Sequence, residues 1–358
     1  GLELSSGTGN FTIKNSKLNQ NKLGFRKGTV PDISGFTMEN CEVKDNTTQG
    51  CFIAAENGTN VFSNVLIKNS DFSGNLQKGM YFEVLSEATL EGIIMSGAGV
   101  DPTYGFNNGI DINLKYGTYS NIVLKDSEIT GCGVTGIATA PDNPAAIAIK
   151  ARDDGSYSGN PATLTLVSIQ NNIISGPQNG LRFGEFGKVN TGPSDVTLSN
   201  NDFSAAFANK ALINNTNSDI NAECNWWGTA NGTTIASKID NTGSGVTDYE
   251  SWIATGGDGT GTGFQPTGNC NGTTPAVTAS PDPQICGETS GSIIIETMTG
   301  GVPPYTVYYG SNSLTPGYYP NTLPFGINNI APISYQVYIT DANVTASPEV
   351  TATTDYLH

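Results

Sequence analysis

One histidine occurs in 358 residues, and it is the last of them, His358. An imidazole inside the fold is therefore missing. That argues against Ser-His-Asp and Cys-His nucleophilic machinery and histidine-ligated metals. Cations are scarce as well: 16 Lys and Arg stand against 32 Asp and Glu, for a net charge of −16. Phosphate binding needs clustered Lys and Arg, so nucleic acid is not an expected partner. An acidic surface fits a soluble, cation-tolerant extracellular protein. No apolar run reaches the roughly 18 residues of a membrane span, so no membrane insertion is expected. Six cysteines are too few for a disulfide scaffold, and no CxxC pair suggests zinc. Nothing at Gly1 has the form of a signal peptide, so the expectation is a removed signal or a segment of a longer chain. Helical periodicity is missing throughout. What is abundant is Gly, Asn, Ser and Thr, which favours strands and turns.

One phrase recurs: FTIKNSKL at 11–18, FTMENCEV at 36–43, VLIKNSDF at 65–72, IVLKDSEI at 122–129, VSIQNNII at 167–174 and VTLSNNDF at 196–203. A degenerate copy, IIMSGAGV, is placed at 93–100. The steps are 25 to 29 residues, with one of 45 that holds an insertion around 135–160. Periods of this size indicate a solenoid. If each phrase is a strand, its first, third and fifth residues share a face. That face carries Phe11, Ile13 and Asn15, then Phe36, Met38 and Asn40, then Val65, Ile67 and Asn69. Asp126, Asn171 and Asn200 continue it. The fifth residues are expected to form an inward amide ladder.

A second strand follows each phrase: GCFI at 50–53, GMYF at 79–82, GIDI at 109–112, AIAI at 146–149, GLRF at 180–183 and KALI at 210–213. Two or more strands per coil, with coils stacked ~4.8 Å apart, describe an all-β parallel β-helix of the pectate-lyase kind, about eight coils and ~40 Å long. The expected span is 1–223. Residues 224–270 then form a cap carrying Trp226, Trp227 and Trp252, which covers the open end of the core. Cys224 and Cys270 are expected to tie that cap down as a disulfide. Cys51 should face inward, as a free thiol or as the partner of Cys41; Cys132 and Cys286 have no clear partner. Residues 271–276 read as a linker. From 277 to 354 short alternating strands separated by turn residues predict a small Ig-like β-sandwich.

CGETSGSI at 286–293, TGGVPPYTV at 299–307 and YQVYITDAN at 335–343 resemble the SprB-type repeat of gliding Bacteroidota surface adhesins. Val344 and Thr345 stand where that family has a Cys, so its intradomain disulfide is not expected. NGIDINLKYG at 108–117, IKARDDGSYSGNPATL at 149–164, GLRFGEFGKVNTGP at 180–193 and CNWWGTAN at 224–231 resemble right-handed β-helix modules of the same organisms' secreted proteins. The resemblance implies an extracellular, cell-surface segment of a gliding-motility adhesin. It would be exported across the outer membrane by type IX secretion and flanked by neighbouring repeats of a longer chain.

IKARDDGSY at 149–157 concentrates Lys150, Arg152, Asp153 and Asp154 in a chain only 13% charged. Aligning the second strands gives an outward column of Phe52, Tyr81, Asp111, Ala148, Arg182 and Leu212. A second column holds Ala54, Glu83, Asn113, Lys150, Gly184 and Asn214, with Arg152 and Glu185 nearby. Three readings stay open. The face binds an extracellular polysaccharide or surface through Tyr81, Glu83, Asp111, Asn113, Lys150, Arg152, Arg182 and Glu185, with Tyr81 as the stacking platform. Or it is a polysaccharide lyase, with calcium on Asp111, Asp153 and Asp154 and a base among Lys150, Arg152 and Arg182. Or the ion pairs only hold the inserted loop to the rod. Ice binding is disfavoured, because Leu66, Val123 and Ser168 interrupt the Thr12, Thr37 and Thr197 column. Binding without catalysis is the expectation, with no cofactor unless calcium.

Overall fold

The computed structural model describes residues 1–5, 9–29, 32–56, 60–136, 143–282, 290–314 and 323–354. Cys286 and His358 lie outside them. Among the described residues two long sheets each contain nine strands, all paired in parallel and in chain order. One sheet runs from Leu2–Leu4 to Ile239–Asn241; the other from Phe11–Lys14 to Thr247–Asp248. A third, shorter sheet joins Ile94–Ser96, Glu128–Thr130 and Ile173–Ile174. This is a parallel β-helix. Its strands form because β-branched and aromatic residues alternate with polar ones over four to eight positions.

The phrases supply one wall of the core. Phe36 and Met38, Val65 and Ile67, Ile122 and Leu124, Val167 and Ile169, and Val196 and Leu198 are all buried. Phe25, Cys51, Met80, Ile110, Ile147, Leu181 and Leu212 face them from the other sheet. The walls meet in ring contacts such as Phe25 with Phe36, centroids 5.1 Å apart. Cys41, Cys51 and Cys132 are buried free thiols, and burial pushes the Cys132 thiol up to about 12.

Four expectations about phase need correction. First, the fifth residue of each phrase does not point inward. Asn15, Asn40, Asn69, Asp126, Asn171 and Asn200 have φ between 48° and 58° and lie at the surface or half-buried. The left-handed conformation turns the chain there, and Asn and Asp tolerate it better than other residues. The turn breaks the alternation, so the sixth residue is the one that enters the core. There Ser127, Asn172, Asn201 and Asn225 form the buried ladder. The Asn172 amide donates to Asn201 Oδ1 at 2.9 Å, and the Asn201 amide to Asn225 Oδ1 at 2.9 Å. A second ladder links Asn46 to Asn75 at 2.8 Å.

Second, the copy between Val65 and Ile122 is not IIMSGAGV. Val65 pairs with Ala88 and Ile67 with Leu90, so ATLEGI at 88–93 fills that coil, while Ile94–Ser96 belongs to the third sheet. Third, Arg182 pairs with Ile213, not Leu212, and Phe183 with Asn214, which moves the last coil by one residue. Fourth, the β-helix does not end at 223. Ile239–Asn241 and Thr247–Asp248 add a ninth coil.

The chain divides into two compact units. The first holds residues 1–228, 237–249 and 253–270; the second holds 229–236, 250–252 and 271 onward. In the first, Trp227 is fully buried and stacks on Phe203 at 4.9 Å, as an end cap should. The Cys224–Cys270 disulfide is present, with Cα atoms 5.0 Å apart. Trp252 belongs to the second unit, not to this cap. There it lies against Gly272, whose missing Cβ leaves room for the indole.

The second unit is a sandwich of two antiparallel sheets. One contains Ala276–Asp282, Gly291–Thr299 and Phe325–Ile330. The other contains Asn312–Ser313, Thr306–Tyr309, Ser334–Thr340 and Val350–Thr353. Ile293, Ile295 and Ile327 meet Val307, Val337 and Ile339 between them. Residues 271–276 are not a free linker, since Thr273 Oγ1 accepts the Gly301 N–H at 3.0 Å. Thr345 is fully buried and its Oγ1 accepts the Gly232 N–H at 2.9 Å.

Candidate functional site

Parallel pairing converts residues in successive coils into neighbours. Phe52 pairs with Tyr81, Tyr81 with Asp111, Asp111 with Ala148, and Asn113 with Lys150. The outward face of this sheet is not bare. A cleft of about 340 Å³ opens on it, lined by Tyr81, Asp111, Asn113, Lys150, Arg152 and Glu185 among the anticipated residues. Gln49, Phe52, Lys78, Tyr104, Phe106, Asn108 and Asn143 complete it. Gln49, Lys78 and Asn108 share one register position. Each immediately precedes the Gly of its strand copy, a signal that was readable in QGCF, KGMY and NGID. Tyr104, Phe106 and Asn143 lie outside the strands, where no periodicity marks them.

The floor is a chain of alternating charges. Lys78 donates to Asp111 Oδ2, and Lys150 lies 2.9 Å from Asp111 Oδ1. Lys150 also lies 3.3 Å from Glu185 Oε2, Arg152 lies 3.2 Å from the same oxygen, and Arg152 forks onto Asp154 at 2.7 and 3.0 Å. Burial would push the Asp111 carboxyl up, but Lys150 and Lys78 outweigh it and hold it well below the usual carboxylate range. Burial pushes the Lys150 ammonium down, with Asp111 and Glu185 pulling against it. Asp111 Oδ1 is faced by Lys150, and Glu185 Oε2 by Lys150 and Arg152, so both buried oxygens are met by cations. Asn113 is 7% exposed; its amide donates to the Tyr81 hydroxyl at 2.9 Å, and among the described residues its Oδ1 has no partner.

Several expected roles change. Tyr81 is not an open platform. Phe52 stacks against it at 5.4 Å and 11°, and the Lys78 ammonium lies 4.2 Å over its ring. Its hydroxyl donates to Glu83 Oε1 at 2.9 Å. Burial, followed by Glu83 and Asp111, pushes that hydroxyl's pKa far up, so it stays protonated. The exposed ring at the cleft is Phe106, 58% exposed and edge-on to Tyr104 at 5.9 Å. Glu83 does not line the cleft; it holds Tyr81 and Lys115. Arg182 is fully buried, donating to the Gly184 and Asn143 carbonyls, the latter at 3.0 Å. It cannot reach a substrate as a base.

The calcium trio does not assemble. Asp111 faces two ammoniums. Asp153 accepts from the Asn190 amide at 2.5 Å and the Thr191 N–H at 2.8 Å, and Asp154 accepts from Asn190 at 3.0 Å and from Arg152. Among the described residues no group of three or more His, Cys, Asp or Glu converges for a metal. Asp153 and Asp154 clasp the segment around Asn190, while Lys150 and Arg152 reach the cleft. IKARDDGSY therefore divides between a loop-holding half and a cleft-lining half. No protein-family model matches the chain, and no curated protein matches it.

Proposed function

We propose that the β-helix unit binds carbohydrate in the cleft around Asp111 and Asn113 and does not transform it. In this reading the chain is an extracellular, cell-surface adhesin segment, with the sandwich as a spacer next to neighbouring repeats of a longer protein. The observation that carries the reading is the cleft's composition. An exposed aromatic ring stands beside buried, paired charges and an amide oxygen, Asn113 Oδ1, that has no hydrogen-bond donor among the described residues, and sugars need both an apolar surface and fixed hydrogen-bond partners. The absence of any internal histidine in the sequence and the buried state of Arg182 leave little acid–base machinery. A glycan array with the intact chain tests it: specific signals that disappear in Phe106→Ala support binding, and flat signals overturn it.

A second reading, polysaccharide lyase, draws on Lys150, because burial moves its ammonium toward the range of a general base. Its ion pairs with Asp111 and Glu185 work against loss of that proton. Formation of unsaturated uronate ends from acidic polysaccharides, abolished in Lys150→Ala, would establish that reading in place of binding alone.

A further inference from the structure

Resting on the carbohydrate reading, we infer that the cleft selects an uncharged sugar, one or two residues at a chain end or branch, over uronates and sulfated glycans. Its cations are already spoken for. Asp111 sits between Lys78 and Lys150, Glu185 between Lys150 and Arg152, and Arg152 is held bidentately by Asp154. An incoming carboxylate or sulfate meets Asp111 and Glu185 before it finds an unpaired ammonium. Breaking one of these buried pairs leaves an uncompensated charge, which costs more than the new pair returns.

Hydroxyls suit the same wall. A sugar hydroxyl donates one hydrogen bond and accepts others, so neighbouring hydroxyls fit a surface where carboxylate and ammonium alternate. Asp111 Oδ1 and Glu185 Oε2 are met only by cations, and Asn113 Oδ1 has no hydrogen-bond donor among the described residues. That amide oxygen lacks the donor that a ligand hydroxyl supplies and a ligand carboxylate does not. Leaving a buried acceptor unmatched is what makes such a site discriminate. Phe106 offers an exposed face for the apolar C–H side of the ring. The volume, about 340 Å³, stands at the low end of the roughly 300–1,000 Å³ of small-molecule pockets, which favours a short unit over a length of polymer.

The test is binding of the intact chain to neutral gluco-, galacto- and manno-oligosaccharides, to oligogalacturonate and to a sulfated oligosaccharide, at low and high salt. The expected result is binding of a neutral probe that changes less than about twofold with salt, because no net ion pair forms. Asn113→Ala and Phe106→Ala should each weaken it by about tenfold. Phe106 is exposed, so its variant reports on binding without a folding defect. Preference for the acidic probes, with affinity falling steeply in salt, overturns the neutral-sugar inference and leaves carbohydrate binding standing. Binding to none of the probes overturns both.

Discussion

The Lys150 ammonium lies 2.9 Å from Asp111 Oδ1, from the next coil, with both side chains almost fully buried. Lys78 closes on the other oxygen. One carboxylate thus bridges two buried cations, with Glu185 as the second partner of Lys150. Asp111→Asn should destabilise the β-helix by about 3–5 kcal/mol at neutral pH, because it strands Lys78 and leaves Lys150 with Glu185 alone. The pH dependence has a definite sign. Asp111 titrates lower folded than its unfolded value of about 3.9, so its contribution is complete above that value and declines as pH falls toward the folded pKa. Urea unfolding should give a wild-type-minus-variant gap that is constant from about pH 5 to 7 and narrower near pH 3. An undiminished gap at acid pH would refute this assignment.

Leu166 has φ 60° and is 57% exposed. The same place in other coils, the residue before the phrase, holds Asn64, Glu87, Asn121 and Asp195, all at φ 48° to 57°. The left-handed conformation costs a bulky residue about 1–2 kcal/mol, and Asn less. Leu166→Asn should therefore stabilise the protein by about 1 kcal/mol, read as a higher urea midpoint with unchanged slope.

Asn201 accepts from the Asn172 N–H and amide and donates to Asn225 Oδ1 and the Ile169 carbonyl, all within 2.8–3.1 Å. Asn201→Ala leaves several buried groups unmatched at once. A loss of about 2–4 kcal/mol is expected by urea unfolding. Asn200→Ala, one residue earlier, should cost about 1 kcal/mol, the strain of Ala in the left-handed conformation, since its side chain is at the turn. Equal losses would mean that the ladder is not where stability resides.

The Cys224–Cys270 disulfide closes 46 residues of sequence separation. Constraining a loop of that length in the unfolded chain is worth about 2–4 kcal/mol. Cys224→Ser, or reduction under non-denaturing conditions, should lower the thermal midpoint of the β-helix unit by several degrees. No shift on reduction would show that the cap is held by Trp227 and Phe203 alone.

The repeat was legible because burial imposes a period, and Phe36, Val65 and Val196 keep it. Phase was harder. The fifth residue turns left-handed, so alternation fails there, and Asn200 and Asn201 exchange the roles that strict alternation assigns. Leu212 and Ile213 are both apolar, so periodicity could not choose which one faces Arg182. ATLEGI carries a weak signal, because Ala88 and Gly92 replace the larger apolar residue and the Asn of other copies. The cleft was half legible. Asp111 and Lys150 came from the columns, but Phe106 lies in a loop that obeys no period, and Arg182 looked available until the Asn143 carbonyl proved to cover it.

In the β-helix the strands hold a fixed register while the spacing between phrases varies; strand residues floor the cleft, and connections add Tyr104, Phe106 and Asn143 to its wall. Asp111 and Lys150 therefore serve the cleft and the rod at once, whereas the exposed Phe106 bears on the cleft alone. Exchange of that one ring leaves the Asn172–Asn201–Asn225 spine untouched, which makes the rim, not the floor, the place where specificity can change without cost to the rod.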